Sequence, residues 1–288
     1  MTYSRRDFSK TALLSMAGAS LLPAAKTNGV ILGVMTYSYR ALPVPPGAER
    51  VDGQIEALKT NGARDIEFFE MEVQPPGKAD GLDKWRAATK LEHFTSARKK
   101  LEAAGITTHA VTFNYRDVLT DDDVDHTFEC AKALGTNVIA ASTQVSLAKR
   151  LVPFAEKHKI YVAFHGHSNT KDPNEFATPE SFQSAVAQSK YFRINLDIGH
   201  FFAAGYDPVA YIREHHQSIT HLHLKDRKKN DGPNMPWGEG DTPIKPVLLL
   251  LKEKKYDLPA LIEYEYRGAG TPVEEVGKCM DYMRAAVA

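Results

Sequence analysis

Phe192–His200 reads FRINLDIGH, an apolar run that ends in an acid, a glycine and a histidine. Phe192, Ile194 and Leu196 are large and apolar, and a glycine closes the run, so its front half reads as a buried β-strand. Asp197 and His200 then fall at the carboxyl end of that strand, the side on which α/β proteins bind their ligands. A carboxylate beside an imidazole there suggests a metal or proton-transfer site. It also has a plain structural account, an Asp that caps the next helix with a His packed beside it. The rest of the chain has to decide between the two.

Outward from this stretch the sequence alternates two kinds of segment with a period of roughly 30 residues, the length of a βα unit. Strands are expected at Val30–Thr36, Asp65–Phe69, Thr107–Phe113, Asn137–Ala141 and Ile160–Phe164 before the opening stretch, and at Ile219–Leu224 and Pro259–Ile262 after it. Helical spacing or helix-start signals fall at Val51–Thr60, Trp85–Ala104, Asp122–Leu134, Ser146–His158, Thr178-Pro179-Glu180, Asp207-Pro208, Pro243–Lys255 and Pro272–Ala286. Asp121, Asp122 and Asp123 look like a metal cluster but lie where a helix dipole favours acids, so they read as a helix start. Eight strands alternating with helices predict an α/β fold, a single-domain (β/α)8 TIM barrel, with a doubly wound open sheet as the alternative. Neither GxGxxG after a strand nor GxxxxGK[ST] occurs, so no nucleotide-binding loop is predicted.

The first residues carry a different message. SRRDFSK (residues 4–10) precedes an uncharged, small-residue segment from Thr11 to Ala25. This predicts a removable export signal over residues 1–25, resembling the twin-arginine type, with the barrel over 26–288 and a periplasmic or exported location. No later run approaches the roughly 20 apolar residues of a membrane span. The formal net charge is zero, which argues against a nucleic-acid partner. Cys130 and Cys279 have no metal-type spacing, and the sequence leaves both their pairing and any homo-oligomer open.

In a barrel the carboxyl ends of all strands share one mouth, so their polar residues form one set. Strand five ends in FHGHSN, giving His165, His167 and Asn169. Strand six gives Asp197 and His200. Strand seven, HLHLKDR, places His221, His223 and Lys225 on one face and Leu222 and Leu224 on the other. Strand eight, IEYEY, gives Glu263 and Glu265, and strand two adds Glu67. Any one of these can be a hydrogen-bonded core group or a rim ion pair. Four consecutive strands ending in metal-capable side chains point to a divalent cation. Trp237, in the loop from Lys228 to Thr242, and Tyr37, after strand one, are sugar-stacking candidates or loop anchors. Lys225 and Arg227 either bind substrate oxygens or a phosphate, or form salt bridges with Asp226 or Glu265.

LDIGH, HLHLKDR, PWGEGD before a helix and LIEYEY together resemble the xylose-isomerase-like TIM-barrel superfamily of sugar isomerases and epimerases, over essentially all of the chain after the signal. The resemblance implies a divalent metal held by residues at the ends of strands five to eight. Three of the family's ligands fall on Asp197, His223 and Glu263, and His200 matches a histidine that touches substrate oxygen. At strand five this sequence departs, placing His165 where the epimerases have Glu. Two nitrogen ligands favour Mn²⁺, or Co²⁺, Fe²⁺ or Zn²⁺, over Mg²⁺. His167 then stands as acid/base beside the ligand.

The reaction implied is isomerisation or epimerisation of a small sugar, with Glu263 or a histidine moving the proton next to a metal-polarised carbonyl. The alternative sends the same enolate into elimination. Family members with an HNH-like strand-five end, similar to HGH here, include inosose dehydratase-like proteins and proteins that act on keto-glycosides by elimination. An apurinic endonuclease and a non-catalytic sugar-binding barrel fit less well, the first because of the neutral charge, the second because of the ligand set.

Overall fold

The computed structural model describes residues 26–288, so the export signal expected at 1–25 lies outside the described residues. Eight apolar runs form eight parallel strands: β1 (Val30–Met35), β2 (Asp65–Phe68), β3 (Thr107–Thr112), β4 (Val138–Ala141), β5 (Tyr161–His165), β6 (Phe192–Asp197), β7 (Ile219–Leu224) and β8 (Ala260–Ile262). Each strand pairs with the next, and β8 pairs back onto β1 in register Leu261↔Gly33, which closes the barrel. The open-sheet alternative is thereby ruled out. A two-residue strand, Lys26–Thr27, runs antiparallel to β1.

Among the described residues, ten α-helices lie between and after the strands: α1 (Arg50–Thr60), α2 (Leu82–Ala88), α3 (Leu91–Ala103), α4 (Asp121–Leu134), α5 (Ala148–His158), α6 (Pro179–Val186), α7 (Ile198–Ala203), α8 (Pro208–His215), α9 (Ile244–Lys254) and α10 (Pro272–Val287). None of the described helices is long and apolar enough to cross a membrane. Alternation along each strand sorts the side chains into two environments. Ile194, Leu196, Leu222 and Leu224 join the main core, where Phe164 packs against Phe176 and Phe192. Ala110, Val138, Ala140 and Ala163 form a separate small cluster of the other face, inside the barrel.

Gly33 shows how tight the interior is. A Cβ there would lie 2.0 Å from the Asp65 carbonyl oxygen and 2.7 Å from Leu261 Cδ2. One of those neighbours is backbone and cannot yield, so Gly33→Ala is expected to destabilise the protein by at least about 1–3 kcal/mol. Thermal or denaturant unfolding checks this; an unchanged midpoint would contradict the packing.

Two helix expectations need correction. The single helix at Trp85–Ala104 is two, α2 and α3, broken at Thr89 and Lys90. Thr89 is fully buried and its hydroxyl donates to the Trp85 carbonyl at 3.0 Å, while Lys90 turns extended (φ −68°, ψ 141°) to start α3. The short helix α7 follows β6 directly, with no loop of its own to announce it. The acids at 121–123 are a helix start as expected. Thr120 and Asp123 form a reciprocal capping box, and the Asp123 carboxylate takes both Arg86 bonds at 2.8 Å, holding its pKa down at about 2. Cys130 and Cys279 are both buried free thiols.

Candidate metal centre

β5, β6, β7 and the residue after β8 deliver four side chains to one point. His165 ends β5 and Asp197 ends β6. His223 lies in β7 opposite Asp197 in the strand register, and Glu263 directly follows β8. All four are buried, and one ligand-capable atom from each lies within 4.8 Å of every other.

The atoms left over are informative. Among the described residues, His165 Nδ1, Asp197 Oδ2, His223 Nδ1 and Glu263 Oε2 are all buried polar atoms in no hydrogen bond of good geometry. Leaving one such atom unsatisfied costs about 1–3 kcal/mol, and more for a charged group; His223 Nδ1 and Glu263 Oε2 lie 2.9 Å apart and meet part of that cost within the cluster, whereas His165 Nδ1 has no partner among the described residues. Lys225 meets another part. Its ammonium lies 3.1 Å from Asp197 Oδ2 and 3.2 Å from Glu263 Oε2, and also bonds Glu265. A cation thus already sits among these oxygens, and two imidazole nitrogens with two carboxylate oxygens are a donor set that fits a borderline divalent ion.

The electrostatics separate the four groups. Burial pushes the Asp197 carboxyl up to about 7, against the pull of Lys225. Burial also acts to raise Glu263, but Lys225 and His223 overcome it and hold that carboxyl well below the usual range. Burial would lower His223, and Glu67 and Glu263 instead lift it to about 10. His165 is held well below an ordinary imidazole by burial, so it is neutral and has a lone pair to offer.

Asp197 satisfies both readings of FRINLDIGH at once. Its Oδ1 accepts from the His200 backbone N–H at 2.7 Å, capping α7, and this bond leaves Oδ2 facing the ligand cluster. His200 itself is half-buried. Its Nδ1 accepts from Arg227 Nη1 at 2.6 Å, and Arg227 also donates to Ser168. The sequence suggests that Arg227 binds substrate oxygens or pairs with Asp226 or Glu265; the structure instead gives it His200, Ser168 and an ion pair with Asp231.

Asp226 is engaged otherwise. Its carboxylate accepts the backbone N–H groups of Gly238, Gly240 and Thr242 at 2.8, 3.0 and 3.1 Å. The PWGEGD motif is therefore a loop wound around one acid, and a Cβ at Gly240 would meet Asp226 Oδ1 at 2.0 Å. Trp237 in this loop packs edge-on against Tyr282 at 5.7 Å, as a loop anchor would, and does not line the cavity over the cluster.

A cavity of about 180 Å³ opens over the cluster. His165, His167, His223, Glu263 and Glu265 form one wall; Met35, Tyr37 and Phe69 bring apolar surface to it. Tyr37 meets Phe69 edge-on at 5.0 Å. His167 is exposed by about a third, with its ring 5.1 Å from that of His165. Burial, then Lys225, lowers its pKa, leaving a neutral imidazole. Glu67, the strand-two acid of the polar set, lines the same cavity with both oxygens engaged: Oε2 accepts from His221 Nε2 at 2.6 Å and His223 Nε2 at 2.7 Å, and Oε1 from the Thr112 hydroxyl. Sequence reading misses Asn114, Ser142 and Asn195, which also line the cavity. They are uncharged, Asn114 and Ser142 just past strand ends and Asn195 inside β6, so little marks them out.

Comparison with known proteins gives a consistent result. The sequence model of the xylose isomerase-like TIM barrel matches residues 55–286. L-ribulose-5-phosphate 3-epimerase UlaE of Salmonella paratyphi C is 32% identical over 98 residues, 34% of this chain and 34% of the epimerase. Inosose dehydratase of Clostridium tetani is 27% identical over 159 residues, 48% of this chain and 52% of that protein. The chain thus matches a third to a half of the length of these curated relatives. Among solved structures, the IolI protein with a bound zinc atom superposes with a TM-score of 0.64, covering 89% of this chain and 97% of that one at 16% identity, a likeness of fold.

Proposed function

The chain belongs to the xylose isomerase-like TIM barrel family, and on that premise we propose that it is a divalent-metal-dependent isomerase or epimerase of a small sugar. The observation that carries this reading is the convergence of four buried ligand-capable side chains, His165, Asp197, His223 and Glu263, with one donor atom of each within 4.8 Å of the others beside a sugar-sized cavity. His165, Asp197, His223 and Glu263 hold the ion, with Mn²⁺ the best match to the donor set and Co²⁺, Fe²⁺, Zn²⁺ or Mg²⁺ the alternatives. Bound there, a divalent ion polarises a ketose carbonyl and so acidifies the neighbouring C–H.

The protein's own residues then handle the proton. Glu263 is held ionised by Lys225 and His223 and takes the proton from the carbon next to the carbonyl. Protonation of the other face of that carbon by a second acid gives an epimer, and return of the proton by Glu263 to the former carbonyl carbon gives an isomer. Lys225 keeps Glu265 and Glu263 in place, while Tyr37 and Phe69 offer an apolar wall to the C–H face of the ring. His200 donates from the nitrogen that Arg227 leaves free. The cavity volume, below the roughly 300–1,000 Å³ of drug-sized sites, favours a single ring.

A second reading rests on His165 and His167. With imidazole in place of a second carboxylate, neutral His167 is a base that takes the proton from carbon, and the imidazolium so formed protonates the departing oxygen as the enolate expels water or an alcohol. The likeness to inosose dehydratase supports this lyase reading. We place the protein outside the cytoplasm on the strength of SRRDFSK, where neutral glycosides are met. Incubation of the Mn²⁺-loaded protein with free ketoses and with 3-keto-glycosides, followed by product mass, separates the readings. A single product of unchanged mass is expected for isomerisation, release of the aglycone marks elimination, and no turnover of either class overturns both.

A further inference from the structure

We propose that Glu67 is a positioning residue that fixes the tautomer and aim of His223, turning its Nδ1 to the ion. This inference rests on the metal reading above and goes beyond it by placing the control of the site in a carboxylate behind the ligand. Glu67 comes from β2, across the barrel from β7, and is fully buried. Its Oε2 lies 2.7 Å from His223 Nε2 and 2.6 Å from His221 Nε2, and its Oε1 accepts from Thr112.

A carboxylate at these distances accepts hydrogen bonds, so it holds a proton on Nε2 of both imidazoles. His223 can then offer only Nδ1 as a ligand, and that is the atom turned to the ligand cluster, 2.9 Å from Glu263 Oε2. The Asn195 amide group also approaches the same Nε2 at 3.1 Å; with the amide turned so that its otherwise unpartnered oxygen faces the ring it accepts from the same Nε2–H, without bringing a charge. The His221 ring is fixed from its other side, where Thr220 Oγ1 lies 2.7 Å from Nδ1, so both its nitrogens are engaged, with Nε2 sharing Glu67. The same Glu67, His221 and His223 atoms have the proximity of a second metal site, which is the competing account of this cluster.

Glu67→Gln keeps the shape but replaces one acceptor oxygen with an N–H₂ that donates. It then confronts either an imidazole Nε2–H or the Thr112 hydroxyl. Mn²⁺ and Co²⁺ titrations of wild type and Glu67→Gln, with folding checked by circular dichroism, read the effect. A 10–100-fold weaker Kd and a shifted Co²⁺ absorption spectrum are expected in the variant, with one ion per chain in wild type. In the metal-free protein, ¹⁵N-edited NMR should show both Nε2–H signals in wild type and the loss or shift of at least one in Glu67→Gln. Thr112→Val, which removes only the Oε1 bond, should weaken Mn²⁺ by a few-fold and covers the case in which Glu67→Gln does not fold. A folded Glu67→Gln with wild-type Kd and spectrum, Thr112→Val without effect, or two ions per chain overturns the positioning role alone. A wild type that binds no ion overturns the metal reading, while unchanged Nε2–H signals overturn this one separately.

Discussion

Asp197→Asn and His223→Ala are each expected to leave a folded barrel that no longer retains a divalent ion. The amide introduced by Asp197→Asn would still present an oxygen to the His200 backbone N–H, so the cap of α7, worth about 1 kcal/mol, is kept while the ligand charge is lost. The variant thereby separates the two functions of Asp197. His223→Ala removes the ring that joins Glu67 to Glu263 and leaves no nitrogen ligand from β7. In wild type, an ion at 100 times its Kd adds about 2.7 kcal/mol to stability. Unfolding with and without Mn²⁺ should show that increment in wild type and none in either variant. Full Mn²⁺ stabilisation in both variants would remove these residues from the ligand set.

The second large effect is on the proton. Glu263→Gln substitutes an amide that can still approach an ion through its oxygen but cannot take a proton from carbon. General acid–base groups contribute about 10²–10⁴-fold, so turnover should fall by about 10³-fold. Exchange of the substrate's C–H with D₂O solvent, followed by NMR, should disappear with it. The position is sensitive because Lys225 and His223 keep Glu263 ionised inside a buried site, against burial. A neutral Gln there also leaves the Lys225 ammonium with Asp197 and Glu265 alone. Exchange within tenfold of wild type would mean that another group, such as His167, is the base.

Much of this architecture is legible in the amino-acid sequence because a barrel repeats. Period-two alternation in HLHLKD and FRINLD assigns faces without a structure, and closure then gathers the strand ends. His165, Asp197, His223 and Glu263 are accessible in this way, since each is a polar residue ending an apolar run. Glu67 is visible as a strand-end acid, but its partners are not. His221 and His223 are 154 and 156 residues away, and only the diameter and stagger of the closed barrel bring them to one carboxylate oxygen. Asp226 is misread for the opposite reason. Charge suggests a salt bridge to Lys225 or Arg227, whereas three backbone N–H groups of the following loop hold its carboxylate. Backbone donors leave no mark in a sequence beyond the glycines that let them approach. The break between α2 and α3 likewise depends on Thr89, whose buried hydroxyl bond does not show in helical periodicity.

The central claim is that four strands hold one divalent ion at this point. The purified protein, stripped with chelator, dialysed against Mn²⁺ and freed of excess ion, can be analysed for metal per chain. The account predicts about one ion per wild-type chain and essentially none in Asp197→Asn. A wild-type protein that retains no ion, or an Asp197→Asn variant that retains a full equivalent, would contradict it.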